Sequence, residues 1–102
     1  MEKFTYCFDF DGTLCTNTEG DYENAKPLYE RIKRVNELFL QGHKIIIFTA
    51  RGTVTKVDWR KLTEQQAKSW GIKYHELLLG KPAANFYIDD KGINDLTFFN
   101  TI

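Results

Sequence analysis

Asp9, Asp11, Thr49, Lys81, Asp89 and Asp90 stand out because their types fit one chemistry and each follows an apolar run. Four carboxylates, one hydroxyl and one ammonium suit phosphoryl transfer with a magnesium ion. Crowded carboxylates repel and demand a cation. Hard oxygen ligands favour Mg²⁺, which keeps waters and also binds phosphate. Asp9 can attack phosphorus and carry the group as an aspartyl phosphate. Asp11, two residues on, can exchange a proton with the leaving oxygen and then with water. Thr49 offers a hydroxyl to a phosphate oxygen. The backbone N–H groups after it, Ala50 first, face the same anion. Lys81 brings a fixed positive charge. With the metal it offsets the repulsion between Asp9 and a dianionic phosphate, the main obstacle to attack.

Singly, each residue has a plainer explanation. Asp-Gly is a common turn signal, a lone Thr caps, and a lone Lys decorates a surface. Arg51 neighbours the phosphate-binding turn and is expected to be exposed. There it could hold a substrate carboxylate or a second phosphate bidentately, with a surface ion pair as the ordinary alternative. His43 and His75 read as structural, and Trp59 and Trp70 as core. Cys7 reads as a small buried hydrophobe. Cys15 has no basic neighbour in sequence to make it a reactive thiolate.

The candidates can meet only through the fold. Phe4–Phe10 is rich in β-formers and is closed by Asp11-Gly12. Residues Thr13–Asn24 are polar and read as a long loop, or a loop with a small hairpin, and such connections are often functional. Pro27 fits a first helical turn. Leu28, Ile32, Val35 and Phe39 then follow at spacings of four, three and four, one face of a helix that Gly42 stops. Lys44–Thr49 holds the unbroken apolar stretch Ile45–Phe48, which suits a strand covered on both faces. After an Arg51–Lys56 loop, Trp59, Leu62, Gln66 and Trp70 mark a second helix, ended by Gly71. Tyr74–Leu79 reads as a third strand and Phe86–Ile88 as a short fourth. Leu96, Phe98 and Phe99 close the chain with a turn or short helix. Alternating strands and helices predict an α/β fold with a mainly parallel sheet and right-handed crossovers. Ligands collect beyond the carboxyl ends of such strands.

The motifs carry a family resemblance. YCFDFDGTLC resembles the first motif of the haloacid dehalogenase superfamily, IIIFTAR the second, GKP the third and FYIDD the fourth, in the family's order from about Phe4 to Asp90. The resemblance implies a three-layer Rossmann-like core. It implies Asp9 as nucleophile and Mg²⁺ ligand, and Asp11 as acid/base whose backbone carbonyl also binds Mg²⁺. Thr49 and Lys81 would bind phosphate, with Asp89 and Asp90 at the metal. The second Asp of the first motif favours phosphatase work over dehalogenation. Two departures follow. Neither Gly12–Asn24 nor Arg51–Gly80 has room for the family's cap domain, so a capless member is expected. Lys81 and Asp89 are eight residues apart, too close for the usual intervening helix, so the sheet is expected to be trimmed to four or five strands. Among capless members the chain resembles small phosphatase-like proteins of capsular polysaccharide and sugar-phosphate metabolism. That likeness implies a phosphomonoester hydrolase acting on a small sugar phosphate.

Composition sets the limits. With 102 residues the expectation is a single domain over 1–102. Fourteen basic and fourteen acidic residues give no net field for nucleic acid or an anionic membrane. A hydrophobic fraction of 42% excludes a disordered chain. No apolar run spans a membrane and no signal peptide is evident. Two cysteines make no disulfide framework, and a reduced, cytoplasmic protein is expected. An open, capless site expects either a bulky substrate or a homo-oligomer whose second subunit supplies a lid. Two other classes stay open: a receiver-like domain that accepts and holds phosphate on Asp, and a non-catalytic domain that binds a phosphorylated ligand.

Overall fold

The structure, a computed structural model, describes residues 2–100. Three strands and three helices alternate along it: β1 (Thr5–Phe8), α1 (Tyr29–Leu40), β2 (Lys44–Thr49), α2 (Arg60–Ser69), β3 (Glu76–Leu79) and α3 (Asp95–Phe99), with a 3₁₀ turn at Tyr22–Asn24. The strands are parallel, in the order β1-β2-β3. Lys44–Thr49 is the strand expected. β1 and β3 are each shorter than their apolar runs.

Each crossover steps the same way across the sheet. Right-handed connections therefore place α1 and α2 on one face. α3 joins them there, because its Phe98 and Phe99 pack on the rings of Tyr6 and Phe8. Tyr6 and Phe8 are the register partners of Ile45 and Ile47 and share their face. Phe8, Ile45, Ile47 and Leu77 meet Ile32, Val35 and Leu38 of α1, Ala67 of α2 and Phe99 of α3 in one core. Each such aliphatic side chain contributes roughly 1.5–3 kcal/mol on full burial.

The alternate positions face the other way. Cys7 is exposed, Ile46 and Phe48 are half-buried, and Leu78 is 41% exposed. Helices therefore cover one face of the described sheet, where both were expected, and the layers number two, where three were expected. Cys7 is exposed for the same reason. The sheet has three strands among the described residues, where four or five were expected. Phe86–Ile88 forms no strand, and its Phe86 and Ile88 are 81% and 93% exposed. The sheet has two edges, β1 and β3. To pair with β1, a parallel strand after β3 needs a crossover of about a dozen residues, and the chain supplies Gly80 to Asn85.

Both long helices end alike. Gly42 (φ 95°) and Gly71 (φ 73°) sit in the left-handed region just past α1 and α2. Gly42 N–H donates to Phe39 O and His43 N–H to Leu38 O; Gly71 N–H donates to Lys68 O and Ile72 N–H to Ala67 O. These paired bonds satisfy the last carbonyls and turn the chain toward the next strand. The two histidines serve strand starts: Phe4 N–H donates to His43 Nδ1 and Ile45 N–H to His75 Nδ1, each at 3.0 Å.

Gly52 is different. Its φ is +80°, and a Cβ there would lie 2.2 Å from the Val57 carbonyl oxygen, whereas nothing lies within 4 Å of a Cβ at Gly71. In urea unfolding, Gly71→Ala is expected to cost roughly the 1–2 kcal/mol of the left-handed conformation, and Gly52→Ala clearly more. Equal losses would contradict this packing. A thiol reagent is expected to label one cysteine, Cys7, in the folded protein and Cys15 after unfolding. Protection of Cys7 would mean that its face is covered.

Candidate functional site

The site forms where β1, β2 and β3 end side by side. Phe8 and Phe10 are buried on β1 and just beyond it, so the period of two turns Asp9 to the rim. Phe10 O accepts the N–H groups of Thr13, Leu14 and Cys15 at 2.8–3.2 Å, which closes a tight turn around Asp11 and Gly12. The loop then folds back on itself. Leu28 N–H donates to Leu14 O (2.9 Å) and Thr16 N–H to Lys26 O (2.8 Å), while Leu14 and Cys15 are fully buried. An isolated bridge between Cys15 and Pro27 closes the segment, and Thr13–Asn24 itself is a loop with a 3₁₀ turn.

β2 delivers Thr49, 1% exposed, whose Oγ1 accepts the Arg51 N–H at 3.1 Å. As an acceptor there, the hydroxyl still has its own proton to donate. β3 delivers Lys81. Its N–H donates to Thr49 O (3.1 Å), and its carbonyl accepts Thr53 Oγ1 (2.7 Å). Lys81 Nζ lies 3.6 Å from Asp9 Oδ1 and 4.3 Å above the Tyr87 ring. The predicted quartet of Asp9, Asp11, Thr49 and Lys81 is thus brought together. A cleft of about 330 Å³ opens over Asp9, Asp11, Thr49, Ala50 and Arg51. Its walls add Asn17, Glu19, Gly20 and Tyr22 from the loop, and Tyr87.

Arg51 is not the exposed residue expected. It is 2% exposed, and its guanidinium forms a bidentate pair with Asp11: Nε to Oδ2 and Nη2 to Oδ1, both 2.9 Å. Nη1 donates to Thr63 Oγ1 (3.1 Å) and Gln66 Oε1 (2.6 Å) of α2, and Nη2 also faces Cys15 Sγ at 4.0 Å. A guanidinium has five N–H groups, and all five are engaged. None is left for a substrate. The rings of Phe10 and Tyr22 flank it at 4.7 and 4.6 Å. Breaking a buried ion pair by removing one partner typically costs about 3–5 kcal/mol.

The two acids therefore sit in different environments. Burial raises the Asp9 carboxyl above its ordinary value, and the Asp11 charge adds to this. Lys81 and a backbone hydrogen bond at Phe10 work against the rise. Burial, and then the Asp11 charge, push the Cys15 thiol up to about 12. At neutral pH it is a thiol that donates to Asp11 Oδ1 at 3.5 Å. Burial also raises the Tyr22 phenol, with Asp11 adding and Arg51 opposing.

Asp89 and Asp90 do not join the site. Both are exposed in the chain beyond Phe86–Ile88, and neither lines the cleft. Asp89 Oδ1 instead accepts the Lys91 N–H at 2.7 Å, and this bond, with that of Gly92, holds its carboxyl below the ordinary value. As arranged, the donors do not fit a magnesium ion. Of the four acids that the resemblance assigns to the metal, Asp9 and Asp11 line the cleft while Asp89 and Asp90 stay outside it, and among the described residues no three His, Cys, Asp or Glu side chains converge on a metal position.

Thr63, Gln66 and the wall residues Asn17, Glu19, Tyr22 and Tyr87 were not singled out by sequence reasoning. For Gln66 a signal existed. It is a polar residue on the face shared by Trp59, Leu62 and Trp70, and a buried amide needs partners. It finds Arg51 on one side and Tyr22 O, at 2.7 Å, on the other.

No family model matches the chain, and no curated protein does. Solved structures do. One is the crystal structure of a structural target from Vibrio cholerae: 28% identity, TM-score 0.85, covering 96% of this chain and 88% of that one. Another belongs to a Pnkp1/Rnl/Hen1 complex: 24% identity, TM-score 0.59, covering 86% of this chain and 30% of that one. The second likeness is one of fold, and this chain spans under a third of that protein. No helix among the described residues is long and apolar enough to cross a membrane.

The raised Asp9 carboxyl makes a stability prediction. The folded chain binds that proton more tightly than the unfolded chain. The Asp9 charge therefore costs stability above the raised value, and the cost vanishes as pH falls below the ordinary value. Asp9→Asn is expected to unfold at a higher temperature than the native chain at pH 7, with the difference shrinking in acid. A variant less stable at pH 7 would contradict this reading of the site.

Proposed function

We propose that the cleft hydrolyses phosphate monoesters through an aspartyl phosphate on Asp9. The observation that carries the reading is the juxtaposition of Asp9 and Lys81, 3.6 Å apart, beside the Thr49 hydroxyl and an anchored Asp11. A carboxylate attacking a phosphate dianion needs a cation at the point of attack, and Lys81 stands there. The order of the four motifs, resembling the haloacid dehalogenase superfamily, supports the same reaction.

In the first step an Asp9 oxygen forms a bond to phosphorus and the ester P–O bond breaks. Asp11 enters the first turnover carrying a proton taken from solvent and gives it to the leaving oxygen. In the second step water attacks phosphorus, inorganic phosphate leaves and the Asp9 carboxylate returns. Asp11 accepts the proton of that water and holds it for the next leaving group, so each turnover closes its own proton balance. Lys81 offsets charge in both steps, and Thr49 holds a phosphoryl oxygen. The family resemblance implies magnesium, the acids of the cleft as arranged do not assemble a site for it, and no step above is routed through it. Polar Asn17 and Glu19 and the ring of Tyr22 over the cleft support a hydroxyl-rich leaving group such as a sugar.

The test is phosphate release from an aryl phosphate and a sugar-phosphate panel, in buffer with Mg²⁺ and with chelator. The native chain is expected to turn over in Mg²⁺ buffer and Asp9→Asn to be inert. Native chain as inactive as Asp9→Asn would sink the proposal. An acyl phosphate that persists for minutes after a phosphodonor pulse would favour the receiver-like alternative. Loss of turnover with chelator would mean that an acid beyond those in the cleft reaches Asp9 during the reaction.

A further inference from the structure

Resting on that reading, we infer that Arg51 is the positioning residue of the reaction. It acts through Asp11, and α2 sets its placement. Asp11 sits in a turn, where a short carboxylate has several rotamers open to it. Proton exchange needs one orientation held to within a fraction of an ångström. The bidentate pair with Arg51, at 2.9 Å to each oxygen, selects that orientation.

A fork can aim a carboxylate only if the fork is itself fixed. Arg51 is fixed in every direction. Thr63 and Gln66, one helical turn apart on α2, hold Nη1. Thr63 Oγ1 is in turn spent as a donor on Trp59 O (2.8 Å), so it faces Arg51 as an acceptor. Phe10 and Tyr22 clamp the guanidinium plane. The start of the Arg51 side chain is fixed by its own N–H on Thr49 Oγ1. That bond ties the aim of Asp11 to the hydroxyl that holds phosphate. Because no N–H remains for a substrate, Arg51 affects turnover without binding the ester.

A double-mutant cycle tests this. General acid–base groups contribute about 10²–10⁴-fold. Arg51→Ala is accordingly expected to lower kcat at least about tenfold, with KM for the phosphate ester little changed. In the Asp11→Asn background the same change is expected to have almost no further effect, since the group it aims is gone. Arg51→Lys, which keeps the charge and loses the fork, is expected to behave like Arg51→Ala. Should Arg51→Ala fail to fold, Thr63→Val loosens the fork from α2 and leaves the ion pair. It is expected to lower kcat several-fold with Asp11 present and not with Asn in its place.

A residue that merely supports the fold would lower activity equally in both backgrounds. A residue that binds substrate would raise KM in both. Either additive result overturns the inference while phosphatase activity of the native chain stands. A native chain with no turnover overturns the reading of the site, and the inference falls with it.

Discussion

A guanidinium removed from water must recover its hydrogen bonds and find an opposite charge, or the fold that buries it fails. Arg51 imposes that condition here. Meeting it joins the turn after β1 through Asp11, the end of β2 through Thr49, helix α2 through Thr63 and Gln66, and the loop before α1 through Tyr22. The parts that make the cleft are thus bound to one another around a single side chain. The same bonds leave Arg51 nothing to offer solvent, which is why a residue two positions after Thr49 belongs to the framework of the cleft.

The pairing also separates the two acids. Asp11 has a cation on both oxygens. Asp9 has Lys81 at a longer distance, and burial raises its carboxyl, so its proton is bound more tightly than in water. Two carboxylates two residues apart thus sit in different electrostatic environments. The cost falls on stability at Asp9, where a desolvated charge is kept at the cleft.

The sheet explains what the site lacks. Two right-handed crossovers in the same direction put α1 and α2 on one face, and α3 packs on that face through Phe98 and Phe99. To use the other edge of β1, the chain would have to cross the sheet between β3 and Phe86, and the six residues Gly80 to Asn85 are too few. The carboxylates of Asp89 and Asp90 consequently stay out of the cleft, and the apolar side chains of the opposite face stay uncovered.

Local pattern alone determined much of this protein. The helical spacing from Leu28 to Phe39, the glycines that end both helices, and the unbroken run of β2 each encode their element within a few residues of chain. The grouping of Asp9, Asp11, Thr49 and Lys81 was also legible, because parallel strands put their carboxyl ends on one edge. The tertiary structure decided the rest. Whether Phe86–Ile88 pairs depends on how far a linker must travel. Whether Cys7 is buried depends on which face the helices take. Whether Arg51 meets solvent or Asp11 depends on α2 arriving with Thr63 and Gln66 beside it. None of these is a property of neighbouring residues. Each depends on distances between segments far apart in the chain, and those distances exist once the sheet has formed and the helices have packed on it.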